Sequence, residues 1–355
     1  MIQYIDKTKY MEIHKILKTA VNYKASDIYI SQGIKPFLRI NGKLHEIAQH
    51  PIIDKETIDS YIKKLLSKEQ INKFANLKDY DIAIEIKDLG RFRVNLFYQK
   101  NGLGIVLRHI PSQIKTIDEL NLPNQVKKIA NLKQGIILVT GPTGQGKSTT
   151  MAAILNHINE NKNYNIITIE DPIEYIYKNK QSIIQQREIQ SHTDNFQTAL
   201  KSALRESCDV ILVGEMRDPE TIQLALTAAE TGHLVISTLH TSGAAKTIDR
   251  IIDSFSSDKQ NQIRNQLSES LRTVIWQQLI PTTDETSRIA SLEIMINNDA
   301  IANLIRKNKT FQIPSIIETS GNSGMVSMKK TIENHLATGF ISSETAENYI
   351  SGLGI

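Results

Sequence analysis

With one cysteine in 355 residues, Cys208, the chain can form no intrachain disulfide and no cysteine-ligated structural zinc site. A lone cysteine of this kind is read as a small core residue. No apolar run approaches the roughly 20 residues needed to cross a bilayer. The N-terminus, with Asp6, Lys7, Lys9 and Glu12, lacks the apolar stretch of a secretory signal. The expected location is therefore cytoplasmic. An excess of one charge is missing too, because 42 Lys and Arg face 38 Asp and Glu, leaving a net +4 spread along the chain. That margin does not argue for nucleic acid, and no basic stripe with interleaved aromatics points that way. There is neither an internal repeat nor a low-complexity tract. What remains is an ordinary globular composition, 40% hydrophobic and 23% charged, at a length that suits two domains.

Against that background one segment stands out: Gly141-Pro142-Thr143-Gly144-Gln145-Gly146-Lys147-Ser148-Thr149-Thr150. It matches the phosphate-binding pattern GxxxxGK[ST] at every fixed position. The context fits as well, with a buried-type strand Gly135–Thr140 before it and a helix from Ser148 to Ile158 after it. Glycines let the backbone wrap phosphates closely, successive N–H groups form an anion nest, and the helix N-terminus adds positive potential. Lys147 is placed to reach the β- and γ-phosphates of ATP, and the Ser148 hydroxyl to ligate Mg²⁺. The cofactor-binding set is thus Gly141, Pro142, Thr143, Gly144, Gln145, Gly146, Lys147, Ser148 and Thr149.

Along the chain, residues 1–110 read as a small α+β domain. It has a helix from Tyr10 to Tyr23, an Asn41-Gly42 hairpin signal, and helices near 54–66 and 67–76. Ser67 and Gln70 form a candidate capping box. Strand-like runs follow at Tyr80–Ile86, Arg91–Tyr98 and Leu103–Ile110. Segment 111–123, bounded by two prolines, reads as a linker. From 124 onward strands and helices alternate, with Ile166–Ile169, Val210–Val213 and Leu234–Leu239 as buried strands. Phe196–Arg205 and Glu220–Glu230 are the helices between them. A P-loop at the end of the first strand makes this a RecA-like, doubly wound α/β domain. Residues from about 255 read as mostly helical: Asp258–Leu279, Ala300–Lys307, Ser327–Ala337 and Ser343–Ser351.

Several other groups are candidates for chemistry. Ile169-Glu170-Asp171-Pro172 sets carboxylates at a strand's C-terminal end, where α/β folds build their sites. Glu170 is placed to orient or deprotonate the water that attacks the γ-phosphate; the plain alternative is a capping turn with solvated acids. Asp209–Asp218 is like a Walker B strand with Gly214 where an acid often stands. Asp209 lies about 16 Å away at 3.3 Å per residue, which leaves Glu215 as the acid near Mg²⁺ and its waters. Its alternative is a surface acid paired with Arg217. His233 and His240 bracket the next strand, on opposite faces. His240, at the C-terminal end, is the candidate γ-phosphate sensor or else a hydrogen-bonded structural histidine. Arg91 and Arg93 alternate with Phe92 and Val94, so both guanidiniums leave the core face, and Arg108 on the next strand can join them. They are either a solvated strand face or arginine fingers.

Taken in order, these blocks resemble the secretion-type (GspE-like) P-loop ATPases, and within them the type IV pilus retraction motors. The stretches that carry the resemblance include Ser26–Ile30, Gly90–Asn95, Gly141–Thr150, Ile169–Tyr175, Gln186–Glu188, Ser202–Glu206, Val213–Asp218, Ala225–Leu234, Thr238–Thr241 and Ala245–Arg250. The resemblance runs from about residue 10 to 350. It implies a PAS-like N-terminal domain and a RecA-like C-terminal domain, Glu170 as catalytic acid/base in an "Asp box", Gly214-Glu215 as an atypical Walker B, and a "His box" ending at Thr241. It implies nucleotide contacts from Arg91, Arg93 and Arg108. It further implies a homohexamer, docking on a PilC-like inner-membrane platform protein at the inner face of that membrane, and a PilU-like paralogue as possible partner. Extension and secretion members carry a four-cysteine zinc element, which one cysteine excludes. The expected activity is Mg²⁺-dependent ATP hydrolysis driving pilus retraction. The alternatives are a traffic ATPase for pilus assembly or type II secretion, or an ATP-binding regulatory ring. One departure stands out: the AIRNLIRE motif of retraction motors reads Ala300-Ile-Ala302-Asn-Leu-Ile-Arg306-Lys307 here.

Overall fold

The computed structural model describes residues 7–353 except 41, 111, 112 and 286, with side chains from Ile13 onward. Asn41 of the expected hairpin turn and Pro111 of the expected linker lie outside the described residues. The chain divides into two compact units, 1–113 and 114–355.

In the first unit the elements are α1 (Lys7–Asn22), β1 (Asp27–Ser31), β2 (Phe37–Ile40), β3 (Lys43–Glu46), α2 (Lys55–Leu65), α3 (Lys68–Leu77), β4 (Asp79–Ile86), β5 (Gly90–Gln99) and β6 (Gly102–Ile110). The strands form one antiparallel sheet ordered β3-β2-β1-β6-β5-β4. Ser67 and Gln70 close the anticipated capping box at the start of α3. Period-two alternation puts Phe92, Val94 and Leu96 into a core shared with Ile16 and Leu17 of α1 and Ile58, Tyr61 and Ile62 of α2. The other face carries polar groups in register. Arg39 on β2 pairs with Asp27 on β1, Asp27 with Arg108 on β6, and Arg108 with Arg93 on β5.

The second unit contains α4 (Asn124–Ala130), β7 (Gly135–Thr140), α5 (Lys147–Asn161), β8 (Asn165–Glu170), β9 (Ile183–Glu188), α6 (Phe196–Ala203), β10 (Val210–Val213), α7 (Pro219–Glu230), β11 (Leu234–Leu239), α8 (Ala244–Asp253), α9 (Ser257–Ser270), β12 (Leu271–Pro281), β13 (Arg288–Ile296), α10 (Asp299–Arg306), α11 (Ile313–Thr319), α12 (Met328–Ala337) and α13 (Ser343–Ser351). Its sheet is ordered β13-β12-β7-β11-β10-β8-β9, with every pair parallel except β12–β13. Helices cover both faces, and alternate residues of one strand feed opposite cores. Ile136 and Leu138 of β7 join α6–α11, whereas Ile137 and Val139 join α4 and α5. This is the doubly wound α/β architecture. Ile117 and Leu122, inside the segment read as a linker, are buried in the second unit's core.

One expectation is corrected here. The helix read over Asp258–Leu279 stops at Ser270, and the chain continues as β12, parallel to β7. From Thr273 the β-branched and aromatic run Thr-Val-Ile-Trp favours a pleated strand. Asn297 Nδ2 also donates to the carbonyls of Ser268 and Leu271, at 2.9 Å each, satisfying groups that the helix end leaves open. The region beyond 255 therefore contains a two-strand hairpin besides its helices. Strand β9 and helix α11 were not anticipated either.

Candidate nucleotide site

The sheet's parallel order brings four strand ends side by side. The C-terminal ends of β7, β11, β10 and β8 deliver the P-loop, His240, Gly214-Glu215 and Glu170 respectively. Adjacent strands lie about 4.8 Å apart, so the four groups form a row along the sheet's upper edge. His233 is left at the opposite end of β11. There its Nδ1 sits 3.0 Å from the Ala228 carbonyl and its own carbonyl accepts from Gly135 N–H, which makes it structural.

The P-loop leaves β7 at Gly141, whose φ is +142°, and turns through Gly144 and Gly146, both at +78°. Lys147 opens α5 and is buried. Its ammonium donates to the carbonyls of Gly141 and Pro142 at 2.7 and 2.9 Å. Burial lowers its pKa, while the negative charges of Glu215 and Glu174 act to raise it. The lysine is therefore already held across the mouth of its own loop. Thr149 Oγ1 lies 2.9 Å from Tyr175 Oη, tying the first turn of α5 to the segment after β8.

His240 is joined to both neighbours. Its Nδ1 is 3.3 Å from Thr143 Oγ1 in the P-loop, and its Nε2 is 3.3 Å from Glu215 Oε1. Glu215 Oε2 in turn accepts from Arg217 at 2.8 Å. Glu215 thus has its anticipated surface partner and faces the site as well. Gly214 packs closely where it stands. A Cβ there would meet the Ile169 carbonyl at 3.3 Å and the Glu170 Cα at 3.4 Å, while its N–H donates to that same carbonyl.

Glu170 is only 9% exposed. Its Oε1 accepts from Thr168 Oγ1 at 2.8 Å and Gln186 Nε2 at 3.4 Å, and its Oε2 from Glu174 N–H at 3.3 Å. Burial pushes its carboxyl up to about 7 despite those bonds, with the nearby Glu174 adding to the rise. A carboxyl that titrates there can both take and return a proton near neutrality. Gln186 also donates to the Tyr175 carbonyl and accepts from Tyr177 N–H, fixing the segment after Glu170.

The arginines lie in the first unit. Arg108 Nε and Nη2 both reach Asp27 Oδ1 at 2.8 Å, and Asp27 is buried. Arg93 Nε lies 3.7 Å from Asp81 Oδ1. Arg91 sits on the same face of β5, two residues before it.

Gln277 and Thr168 escaped the sequence reading. Thr168 alternates with the core residues of β8, and its neighbour Glu170 could have flagged it. Gln277 had no signal once its segment was read as helix. Beside Gly146, Thr149 and Thr150 a cavity of about 620 Å³ opens, walled by Leu120, Leu279, Arg288 and Phe340 among others. Its size suits a small ligand.

Residues 6–347 match the model of the family described as "Type II/IV secretion system protein". The type IV pilus retraction ATPase PilT of Pseudomonas aeruginosa is 45% identical over 95% of this chain and 97% of its own. A twitching motility protein of Neisseria gonorrhoeae is 46% identical over 94% of this chain and 89% of its own. Among solved structures, that of the pilus retraction motor PilT with bound ADP superposes with a TM-score of 0.85 at 42% identity, covering 94% of this chain and 95% of that one.

Proposed function

From the premise that this chain belongs to the type II/IV secretion system protein family, we propose that it is a Mg²⁺-dependent ATPase, working as a homohexameric ring, that powers type IV pilus retraction. The observation that carries the catalytic part is the joined row at the sheet's edge: the P-loop with Lys147, His240 bridging Thr143 and Glu215, and Glu170 with its raised carboxyl. The retraction part rests on nearly full-length likeness to PilT of P. aeruginosa. A PilC-like platform protein and a PilU-like paralogue are the corresponding partners, with work done at the inner face of the inner membrane.

In this reading the P-loop amides and Lys147 hold the β- and γ-phosphates, and the 620 Å³ cavity beside Gly146 takes the nucleoside. Glu170 removes a proton from the water that attacks the γ-phosphorus, and His240 senses whether that phosphate is present. The donor set fits Mg²⁺, which takes one or two protein ligands and completes its shell with water and phosphate. The Ser148 hydroxyl in the first turn of α5 would be a direct ligand. Glu215, whose oxygens already serve Arg217 and His240, would act from the ion's outer shell. Bound Mg²⁺ would neutralise charge on the phosphates. Arg91, Arg93 and Arg108 add positive charge toward a nucleotide, with Asp27 orienting Arg108.

The test is steady-state Mg²⁺-ATPase activity across a concentration series spanning ring assembly, alongside Lys147→Ala. Hydrolysis should rise with assembly and vanish in the variant. A ring that binds ATP but does not turn it over would sink the motor reading. Complementation of a non-retracting strain then separates retraction from assembly or secretion.

A further inference from the structure

We infer that Gln277, together with Gln145, is a positioning residue that sets the phosphate-facing shape of the P-loop; this rests on the nucleotide-binding reading above. Gln277 stands on β12, the strand beside β7, and is 1% exposed. Its Nε2 donates to the main-chain carbonyl of Gln145 at 2.7 Å, and its Oε1 accepts from the Thr150 hydroxyl at 2.6 Å. One side chain therefore spans the bend, from the crest of the loop to the first turn of α5. Gln145 answers in kind, since its Oε1 accepts from the Leu279 N–H at 2.6 Å. The P-loop pattern leaves position 145 unspecified, so this strap belongs to this chain and not to the motif.

The strap acts on direction. In a trans peptide the C=O and the following N–H point opposite ways. Drawing the Gln145 carbonyl toward Gln277 turns the Gly146 N–H away from β12, toward the hollow where successive amides make an anion nest. Glycines at 144 and 146, both at φ +78°, leave this stretch free to take other orientations at little steric cost. The two hydrogen bonds select one of them. Loop and strand also touch at both ends. A Cβ at Gly146 would lie 2.9 Å from Gln277 Nε2, and one at Gly141 would lie 2.4 Å from the Gln277 carbonyl.

Two variants of the full chain test this, with ADP binding followed by calorimetry and ATP turnover in steady state. Gln277→Glu removes the donor to Gln145 and sets a carboxylate against its carbonyl. Gln145→Ala removes the rung to Leu279 from a less buried site, and decides the matter if the first variant does not fold. Each should weaken ADP by about tenfold, with KM for ATP rising by a like factor and kcat falling by less. A role confined to stability would lower the melting temperature and leave the ADP affinity of the folded protein unchanged. Folded variants that bind ADP as tightly as the wild type overturn the proposal and leave the nucleotide reading standing. A wild-type chain that takes up no ADP overturns both.

Discussion

Replacing Glu170 by glutamine separates what this buried carboxylate does for the fold from what it does for chemistry. Its carboxyl rises from 4.5 to about 7, chiefly through burial. That rise corresponds to about 3 kcal/mol between the two protonation states. Because the folded-state value lies above the unfolded one, the stability this group contributes is complete below about pH 4.5 and is lost as pH rises through about 7. Glutamine carries no charge at any pH, but it cannot accept from the Glu174 N–H with its amide nitrogen, which costs about 1 kcal/mol. Above neutrality Glu170→Gln should therefore be more stable than the wild type by about 2 kcal/mol, and near pH 4.5 slightly less stable. Turnover runs the other way. The base must be ionised, so wild-type kcat/KM, which reports the free enzyme, should climb with pH and level off above about 7. In the variant that limb disappears, and the rate falls by about 10² to 10⁴. Denaturant melts at three pH values and a kcat/KM profile give both readouts. A variant hydrolysing ATP at the wild-type rate, or a wild-type profile flat through neutrality, would refute the assignment.

Other substitutions probe the loop and its neighbours. Gly141→Ala sets a Cβ 2.4 Å from the Gln277 carbonyl at a φ of +142°, so it should cost about 3 kcal/mol or more and abolish ADP binding; an unchanged melting temperature would contradict this. Gly214→Ala meets the Ile169 carbonyl at 3.3 Å and the Glu170 Cα at 3.4 Å. It should cost about 1 kcal/mol and lower kcat more than ADP affinity, because the atoms it displaces carry Glu170. Burial pushes the Cys208 thiol up to about 11, and its Sγ donates to the Ala203 carbonyl. At pH 8 a thiol reagent should modify it slowly in the native chain and fully on denaturation; rapid native labelling would show the core reading of this cysteine to be wrong.

The parts of the site that follow one another along the chain were legible in advance. The P-loop announces itself because its geometry demands glycines and a lysine at set positions. Strands β8, β10 and β11 announce themselves as short apolar runs between helices, so Glu170, Glu215 and His240 could be placed at their ends from the sequence. What could not be read was the company these residues keep. Parallel neighbours are set by crossovers, so nothing local says that β12 lies against β7 or that Gln277 meets Gln145. The segment before β12 is helical, and an apolar run that follows a helix without a proline or glycine reads as more helix. The β-branched run from Thr273 favours a strand, but burial of its two faces between layers is what settles it, and that is not legible locally. For the arginines, alternation along β5 separated Arg91 and Arg93 from the core correctly. The clamp of Arg108 on Asp27 needed the register of β1 against β6, which joins residues 81 positions apart.

Strand β7 feeds both cores, and all six of its residues are buried. It is also hydrogen-bonded on both edges, to β11 and β12. Its amides can exchange with deuterium only through an opening that strips both helical layers from the sheet at once, so they should exchange at the rate of global unfolding. The phosphate loop begins one residue beyond that strand. The loop that would cradle phosphate, tied by Gln277 to the neighbouring strand, thus hangs from the last part of the fold to come apart.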